Sequence, residues 1–331
     1  MKIKKLKLLF IALSIATASF TSQAQVNNKI NVVATFSVLG DMAKNIGGNR
    51  INLTTLVGPN GDAHVYQPTP ADAQAVAEAD LLIINGVGFE GWIERLIQAS
   101  NYQKQVIVAT NGVNLIDMKE EDHHDEEHGE HKDDKHEEHH DDEHDKHEED
   151  SHAGHHHGDT DPHAWHSLAN GKIYVKNIAN GLMAVDPSSQ NIYKNNLKYY
   201  TNQISAIESR IHNQVASIPK DKRKVVTPHD AFGYLSSTYG IEFFAPVGFS
   251  TESEASAKDV ATLIRQIKKD NISAVFIENV YDNRLINQIA RETGANVGGV
   301  LYSDALAKNG QASTYLGMVK HNISTLSSTL K

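Results

Sequence analysis

The sequence contains no cysteine among its 331 residues. Without cysteine the chain can form no disulfide, no thiolate zinc site and no iron–sulfur cluster, and it has no cysteine nucleophile. It also lacks the G-x-S-x-G and Walker A motifs that mark several classes of enzyme. A tight transition-metal site in this chain would therefore be limited to imidazole and carboxylate ligands.

Excess charge of one sign is confined to a single segment. The formal net charge is −10, but residues 120–150 alone hold 18 acidic residues and three lysines, a net of −15. The rest of the chain carries +5, and four of these charges are N-terminal lysines, which leaves +1. A nearly neutral protein of this kind is not suited to bind nucleic acid or an anionic membrane surface.

Residues 1–24 have the pattern of a secretory signal peptide. A lysine-rich start precedes an apolar run at 8–20 and a small-x-small cleavage site at 22–24. The run is shorter than the roughly 20 residues that span a bilayer, so we expect cleavage rather than an N-terminal membrane anchor. Because no cysteine follows the run, we expect a soluble periplasmic protein that is not a lipoprotein.

Two regions alternate short apolar runs with amphipathic stretches, which predicts a mostly parallel sheet flanked by helices in each. The predicted strands are 30–36, 51–57, 81–85, 106–110, 224–227, 241–244, 274–277 and 295–300. A capping box at Thr69 and Asp72 predicts one helix, and the other predicted helices are 231–239, 257–269, 284–293 and 315–326. The fold class is therefore α/β with two similar lobes.

Residues 188–218 lie between the two regions and carry apolar residues three or four positions apart. This spacing predicts one long linking helix of roughly 46 Å along both lobes, and a coiled coil is the alternative. Residues 119–158 contain almost no apolar residue and predict a disordered insertion. The predicted segments are a signal peptide (1–24), an N-terminal lobe (25–118 and 159–187), the insertion (119–158), the linking helix (188–218) and a C-terminal lobe (219–331).

Six of the 19 histidines lie outside the insertion, and two of them occupy matching positions in the two lobes. His64 follows the strand 51–57, and His229 follows the strand 224–227. In α/β sheets the loops after the strands form the ligand crevice. The sequence TPHD at 227–230 resembles a capping box, and the dipole of a helix beginning there would favour the neutral imidazole that a metal requires.

Two further residues complete a candidate metal site. His163 lies where the insertion returns to the first lobe, and Asp304 follows the last predicted strand. Three imidazoles and one carboxylate match the preference of zinc for a closed tetrahedral site. We expect His166 to lie near the ligands or to face solvent, and His212 and His321 to be structural.

The sequence GVGFEG at 86–91 matches a glycine-rich nucleotide-binding pattern, but its context does not. It follows the third predicted strand rather than the first, and no acidic residue lies in 106–115, about 20 positions on. We expect a strand–helix turn in which Phe89 and Trp92 pack against the core.

Four stretches of sequence resemble the cluster A-I metal-binding proteins of bacterial ABC importers. They are VATFSVLGD at 33–41, GPNGDAHVYQPTP at 58–70, DPHAW at 161–165 and PHDAFGY at 228–234, in the order of the family. The resemblance implies two α/β lobes joined by a long helix. It also implies one transition-metal ion between the lobes, with the ligands His64, His163, His229 and Asp304.

The resemblance is to the zinc type of this family. Zinc members have histidine as the third ligand where manganese members usually have glutamate, and imidazole favours zinc over manganese. A His-rich insertion is also typical of zinc members. Ala63 and the missing cysteines differ from the ZnuA-type pattern, and residues 161–170 are closer to the zinc-binding AztC branch. A water or a histidine of the insertion is the alternative to Asp304 as the fourth ligand.

We therefore expect a zinc receptor that is not an enzyme. It would hold Zn(II) at one tight site between the lobes and deliver it to a cognate ABC permease in the inner membrane. A periplasmic zinc chaperone is a further candidate partner, and we expect a monomer. The alternatives are an exported zinc hydrolase with Glu278 as its general base, a manganese-type receptor and a surface adhesin.

We expect the insertion to collect or sense zinc at weaker, accessory sites, because acidic residues alone would suffice for a solvated charge run. Its 13 histidines are His123, His124, His128, His131, His136, His139, His140, His144, His147, His152, His155, His156 and His157.

Overall fold

Each of the two strand-rich regions forms its own four-stranded parallel sheet in a computed structural model, which describes residues 29–117 and 160–331. The first sheet has the spatial order β2-β1-β3-β4 and the second has the order β6-β5-β7-β8. The strands are β1 (Ile30–Phe36), β2 (Ile51–Val57), β3 (Leu81–Ile84), β4 (Gln105–Val108), β5 (Lys224–Val226), β6 (Glu242–Phe244), β7 (Ala274–Glu278) and β8 (Asn296–Leu301). The predicted α/β fold with two similar lobes is confirmed.

Helices connect the strands and cover both sheets. They are α1 (Ser37–Gly47), α2 (Pro70–Glu78), α3 (Ile93–Ala99), α4 (Leu168–Val185), α5 (Gln190–Ala216), α6 (Gly233–Tyr239), α7 (Ala257–Asp270), α8 (Arg284–Thr293) and α9 (Tyr315–Thr329). The predicted capping box of α2 is present, since the Thr69 hydroxyl accepts the Asp72 N–H and the Asp72 carboxylate accepts the Thr69 N–H.

The linking helix α5 has 27 residues and a length of about 40 Å. It packs against α1 and α4 of the first lobe and against α9 of the second. Its buried residues fall on the predicted apolar face, and they include Tyr200, Ile204 and Ile211. The helix therefore lies along both lobes, as its spacing predicts.

The predicted capping box at 227–230 is wrong. The helix α6 begins only at Gly233, and His229 lies in the preceding loop. The Thr227 hydroxyl donates to the carbonyl of His229, and the Asp230 N–H donates to the carbonyls of Val247 and Gly248. These bonds tie the segment to the chain after β6, so no helix dipole acts on His229 in the way that the sequence suggested.

One large hydrophobic cluster joins the first lobe, α5, α9 and the inner face of the second sheet. A smaller cluster lies under α7 and α8 and includes Val226, Val275 and Ile289. Adjacent residues of β5 and β7 point to opposite faces, so Val225 belongs to the large cluster and Val226 to the small one. The first lobe and the helices α5 and α9 therefore share one core, whereas the outer part of the second lobe has its own.

The predicted signal peptide and the predicted insertion lie outside the described residues. The chain leaves the described part after Asp117 and returns at Thr160, where these two residues form an isolated antiparallel bridge. No helix in the described ranges is long and apolar enough to cross a membrane.

Candidate metal centre

Four loops bring the predicted ligands together at the interface of the lobes. His64 follows β2, His163 precedes the short 3-10 turn before α4, His229 follows β5 and Asp304 follows β8. His64 is 5% exposed, and the other three side chains are fully buried. One donor atom from each residue lies within 4.8 Å of the others. The sequence prediction thus selects four side chains that are adjacent in space.

The three imidazole Nε2 atoms face the carboxylate of Asp304. Nε2 lies 3.5 Å from Oδ2 for His64, 3.4 Å from Oδ1 for His163 and 3.2 Å from Oδ2 for His229. The Nε2 atoms of His64 and His163 are 3.4 Å apart. A tetrahedral ion with bonds of about 2.0–2.1 Å has ligand atoms about 3.3–3.4 Å apart, so these separations suit a metal of that size.

The buried oxygen atoms of Asp304 have no hydrogen-bond partner within the described part of the chain, and neither does Nε2 of His229. Unsatisfied polar atoms are costly in a protein interior unless an ion or water satisfies them. A bound cation would satisfy all of these atoms at once. The donor set therefore fits a metal ion better than it fits direct bonds between the side chains.

Acidic side chains hold two of the three imidazoles from behind. Nδ1 of His163 lies 2.8 Å from Oδ1 of Asp161, which also accepts the His163 backbone N–H. Nδ1 of His229 lies 2.7 Å from Oε2 of Glu278 in an ion-pair contact, and Oε1 of Glu278 accepts the His229 backbone N–H at 3.4 Å. Such outer carboxylates orient the ring of a metal ligand and leave its other nitrogen free for the metal. Asp161 and Glu278 therefore aim His163 and His229 at the centre.

The protonation states of the two imidazoles differ. Burial lowers the pKa of His163 to about 3, so its ring is neutral. Burial also acts to lower the pKa of His229, but the carboxylates of Glu278 and Asp304 raise it well above its ordinary value. Burial raises the pKa of Asp161 to about 7. In the metal-free protein these two carboxylates of Glu278 and Asp304 therefore favour the protonated form of the His229 ring.

Several hydrogen bonds close the two lobes around the centre. The Thr251 hydroxyl donates to Oδ2 of Asp62 at 2.7 Å, while Oδ1 of Asp62 accepts the His64 N–H. The Trp165 indole N–H donates to the carbonyl of Ser303, next to Asp304. Ligand loops of one lobe are thus bonded to ligand loops of the other.

The remaining histidines of the described part lie outside the cluster. His166 is 2% exposed, and its ring packs 4.7 Å from that of Phe232, so the alternative that it faces solvent is wrong. His321 lies in α9 and contacts the carbonyl of Val300, and His212 is exposed on α5. The 13 histidines of the insertion lie outside the described residues.

Sequence reasoning did not assign a role to Asp161, although the spacing D-P-H places it two residues before a ligand. Glu278, which it named as a general base, instead contacts the ring of a ligand. The turn at 86–91 is confirmed, since Phe89 and Trp92 are 1% and 2% exposed. The short D-P-H spacing was the sequence signal available for Asp161, whereas Glu278 lies 49 positions from His229 and no local pattern links them.

Two parallel α/β lobes, a helix along both and a buried cluster of three histidines and one aspartate between them define a two-lobed metal-binding receptor. A family model confirms this class at the level of sequence. The model for ZnuA, described as zinc-uptake complex component A, periplasmic, matches residues 32–329. The chain belongs to this family, whose members are substrate receptors of ABC metal transporters rather than enzymes.

Curated relatives match over nearly their whole length. The metal ABC transporter substrate-binding lipoprotein FimA of Streptococcus parasanguinis is 29% identical over 338 residues, 99% of each chain. The manganese ABC transporter substrate-binding lipoprotein PsaA of Streptococcus pneumoniae is 28% identical over 339 residues, again 99% of each chain. The first is named for metal in general and the second for manganese.

Solved structures share the fold. The periplasmic zinc-binding protein TroA of Treponema pallidum is 26% identical with a TM-score of 0.77, and the match covers 92% of this chain and 99% of that one. A Mn-bound periplasmic metal-binding protein from Candidatus Liberibacter asiaticus is 29% identical with a TM-score of 0.74, covering 92% and 100%. A Cd-bound form of the latter protein also matches. The fold is thus shared by proteins whose names mention different metals.

The comparisons correct the expected localisation. We expected a soluble protein that is not a lipoprotein, but the relatives FimA and PsaA are named as lipoproteins. The expectation was wrong because it drew a location from the absence of one residue type. Missing cysteine excludes one chemistry of lipid attachment and does not determine where a protein resides.

Proposed function

We propose that this protein is the zinc receptor of an ABC importer, with His64, His163, His229 and Asp304 as the ligands of a single tightly bound Zn(II). The observation that carries the proposal is the donor set: three imidazole nitrogens and one carboxylate at separations of 3.2–3.5 Å. This combination matches the ligands and the tetrahedral geometry that zinc prefers.

Manganese is the competing cargo, because relatives such as PsaA are named for it. Manganese favours carboxylate and water ligands and more than four of them, whereas imidazole favours zinc. Here a single carboxylate faces three imidazoles, and all four side chains are almost inaccessible to water. The balance of ligands therefore supports zinc.

Competition between the two metals tests this proposal. Metal-free protein at neutral pH is titrated with zinc and with manganese, each in the presence of a chelator of known affinity. We expect one zinc ion per chain to bind more tightly than manganese by at least about 100-fold, in keeping with the Irving–Williams order. Equal or tighter binding of manganese would refute the zinc assignment.

A hydrolase is the alternative from another class, and the surroundings of Glu278 argue against it. Catalytic zinc keeps one coordination position for a reactive water, whereas four protein ligands fill a tetrahedral ion. Oε2 of Glu278 lies 2.7 Å from a ligand imidazole, so this carboxylate orients His229 rather than serving a substrate. Metal-dependent turnover of a model ester or peptide would support the hydrolase instead.

We also propose that the receptor delivers the ion to a cognate inner-membrane permease. The permease would distinguish the loaded receptor from the empty one because the bonds between the lobes would differ in the two forms. A periplasmic chaperone is a further proposed partner, and an assay of zinc transfer from a loaded donor to metal-free receptor would measure its action. A monomeric receptor is expected, and sedimentation of the loaded protein tests that.

The insertion is proposed to be an accessory collector of zinc, on the basis of its 13 histidines among 18 acidic residues. It joins the described part at Asp117 and Thr160, three residues before His163. Deletion of residues 120–158 should leave one tight zinc ion and remove several weaker ones. If the deletion also abolished tight binding, a histidine of the insertion would be a primary ligand in place of Asp304.

A further inference from the structure

A loop of the first lobe, residues 85–90, adjoins the metal centre without supplying a ligand. It contains most of the glycine-rich pattern that the sequence analysis interpreted as an ordinary turn between β3 and α3. Three consecutive residues of the loop have positive φ angles, namely Gly86 at 85°, Val87 at 55° and Gly88 at 72°. A β-branched residue in this conformation is strained, so surrounding bonds must hold the loop in place.

Glu90 supplies most of those bonds. Its side chain is 3% exposed, and Oε1 accepts the Thr35 hydroxyl at 2.5 Å and the Asn85 N–H at 2.7 Å. Oε2 accepts the Gly86 N–H at 3.2 Å. A buried acidic group that closes the loop onto β1 is thus present where an ordinary turn would need none.

Asn85 connects this loop to a ligand. Its fully buried side chain donates from Nδ2 to the carbonyl of Pro162 at 3.0 Å, directly before His163. The hydroxyl of Tyr174 in α4 donates to Oδ1 of Asn85 at 2.6 Å and fixes the orientation of the amide. The backbone that carries His163 is therefore bonded to the end of β3 through a single amide group.

Phe89 connects the same loop to the rings of two ligands. It is 1% exposed, and its ring centroid lies 4.6 Å from that of His64 and 5.9 Å from that of His163. Both contacts are edge-to-face, an arrangement that aromatic rings prefer. The ring also packs against Trp165 at 4.9 Å, so an apolar wall backs the imidazoles of the first lobe.

We propose that the 85–90 loop is a positioning element of the metal centre, in which Asn85 fixes the main chain of His163 and Phe89 fixes the His64 and His163 rings. This inference rests on the proposed function, because it presumes that these histidines bind zinc. It assigns to the loop a role in the affinity and geometry of the site, beyond that of a connection between a strand and a helix.

The test compares Asn85→Ala with Asn177→Ala. Asn177 is a matched control, because its amide also donates to two loop carbonyls of the same lobe, those of Ala109 and Asn111. Each variant is titrated with zinc and, separately, loaded with Co(II), whose visible absorption reports the coordination geometry. A role in stability alone would leave that spectrum unchanged in protein that remains folded.

We expect Asn85→Ala to weaken zinc binding by about 10-fold or more and to shift the Co(II) spectrum, since partners of metal ligands typically contribute 10- to 100-fold to affinity. Asn177→Ala should stay within about twofold of the unmodified protein. Equal affinities and identical spectra for the two variants would overturn the inference.

A milder variant decides the question if Asn85→Ala does not fold. Tyr174→Phe removes only the hydroxyl that orients the Asn85 amide, and we expect a smaller change of the same kind in affinity and spectrum. An unchanged Co(II) spectrum in folded Tyr174→Phe would then overturn the inference. Absence of tight zinc binding by the unmodified protein would instead refute the proposed function, so the two failures are distinguishable.

Discussion

The two lobes share one strand order but hold their ligands by different means. In the first lobe, β1 and β2 have seven residues each, and the ligands are surrounded by aromatic rings, by the amide of Asn85 and by a single outer carboxyl group, that of Asp161. In the second lobe, β5 and β6 have three residues each, and His229 lies between two carboxylates, Glu278 and Asp304. The first lobe positions its ligands mainly by packing around a His163 ring that burial keeps neutral, whereas the second lobe holds a histidine whose pKa is raised by two carboxylates.

This difference separates two properties of the site. Geometry depends in part on groups that do not titrate, and Asn85 and Phe89 of the first lobe supply such groups around His64 and His163. Sensitivity to protons depends on His229, because the neighbouring carboxylates raise its pKa in the metal-free protein. The outer part of the second lobe also has a separate, smaller core. We therefore expect substitutions in the two lobes to affect zinc binding in different ways.

Removal of a ligand should have the largest effect. His163→Ala and His229→Ala each delete one of four ligands, and we expect each to weaken zinc binding by more than about 100-fold, the upper range for residues that only support a ligand. His212→Ala, an exposed histidine of α5, is the control and should bind as the unmodified protein does. If either variant still bound zinc tightly, the histidine that it lacks would not be a zinc ligand.

The outer carboxylates should distinguish the lobes. Asp161→Asn leaves a neutral His163 with a weaker partner, so we expect a loss of about 10-fold in zinc affinity at pH 7. Glu278→Gln also weakens a partner, but it lowers the pKa of His229 and so reduces competition from the proton. The net loss should be smaller at pH 7 than at pH 9. Equal losses for the two variants at both pH values would contradict the raised pKa of His229.

The pH dependence of binding should follow His229. Its raised pKa means that the metal-free protein holds a proton there at pH 7, and zinc must displace that proton to bind. Affinity should therefore rise with pH, by about tenfold per unit for one proton. Calorimetry in buffers of different ionisation enthalpy should report at least one proton released per zinc ion. If Glu278→Gln released as many protons per zinc ion as the unmodified protein, the contact of Glu278 with His229 would not be the reason for the proton release.

The bond between the lobes at Thr251 should have the smallest effect. Thr251→Val removes the hydroxyl that donates to Asp62, a loss of about 1 kcal/mol, which corresponds to about fivefold in the rate of zinc dissociation. Thr262→Val is the control, since that hydroxyl only accepts a bond from the exposed Arg265. Stopped-flow transfer of zinc to a chelator measures both rates, and equal rates would mean that this bond does not retain the ion.

The sequence predicted the strands well because each is a short apolar run that ends at a polar loop. The predicted bounds of β1, β2 and α8 agree with the structure. The helices α1 and α4 were not predicted, and both begin without a side-chain cap. The TPHD sequence at 227–230 was misinterpreted because its polar groups bond to the chain after β6, a contact between distant segments that local patterns do not contain.

The candidate ligands could be predicted because their positions after strands and the resemblance to a family both point to the same four residues. The residues around them could not be predicted in the same way. Asn85 and Phe89 act across 77 and 25 positions of sequence, on Pro162 and His64. Their effects depend on how the strands are ordered in the sheet, and only the folded chain brings them together.

X-ray absorption at the zinc edge of the loaded protein would decide whether the proposed site is correct, because it counts the ligands and measures their distances. We expect four nitrogen or oxygen ligands at about 2.0 Å, with the outer-ring scattering of three imidazoles. Five or six ligands at longer distances, or fewer than three imidazoles, would be incompatible with a closed site formed by His64, His163, His229 and Asp304.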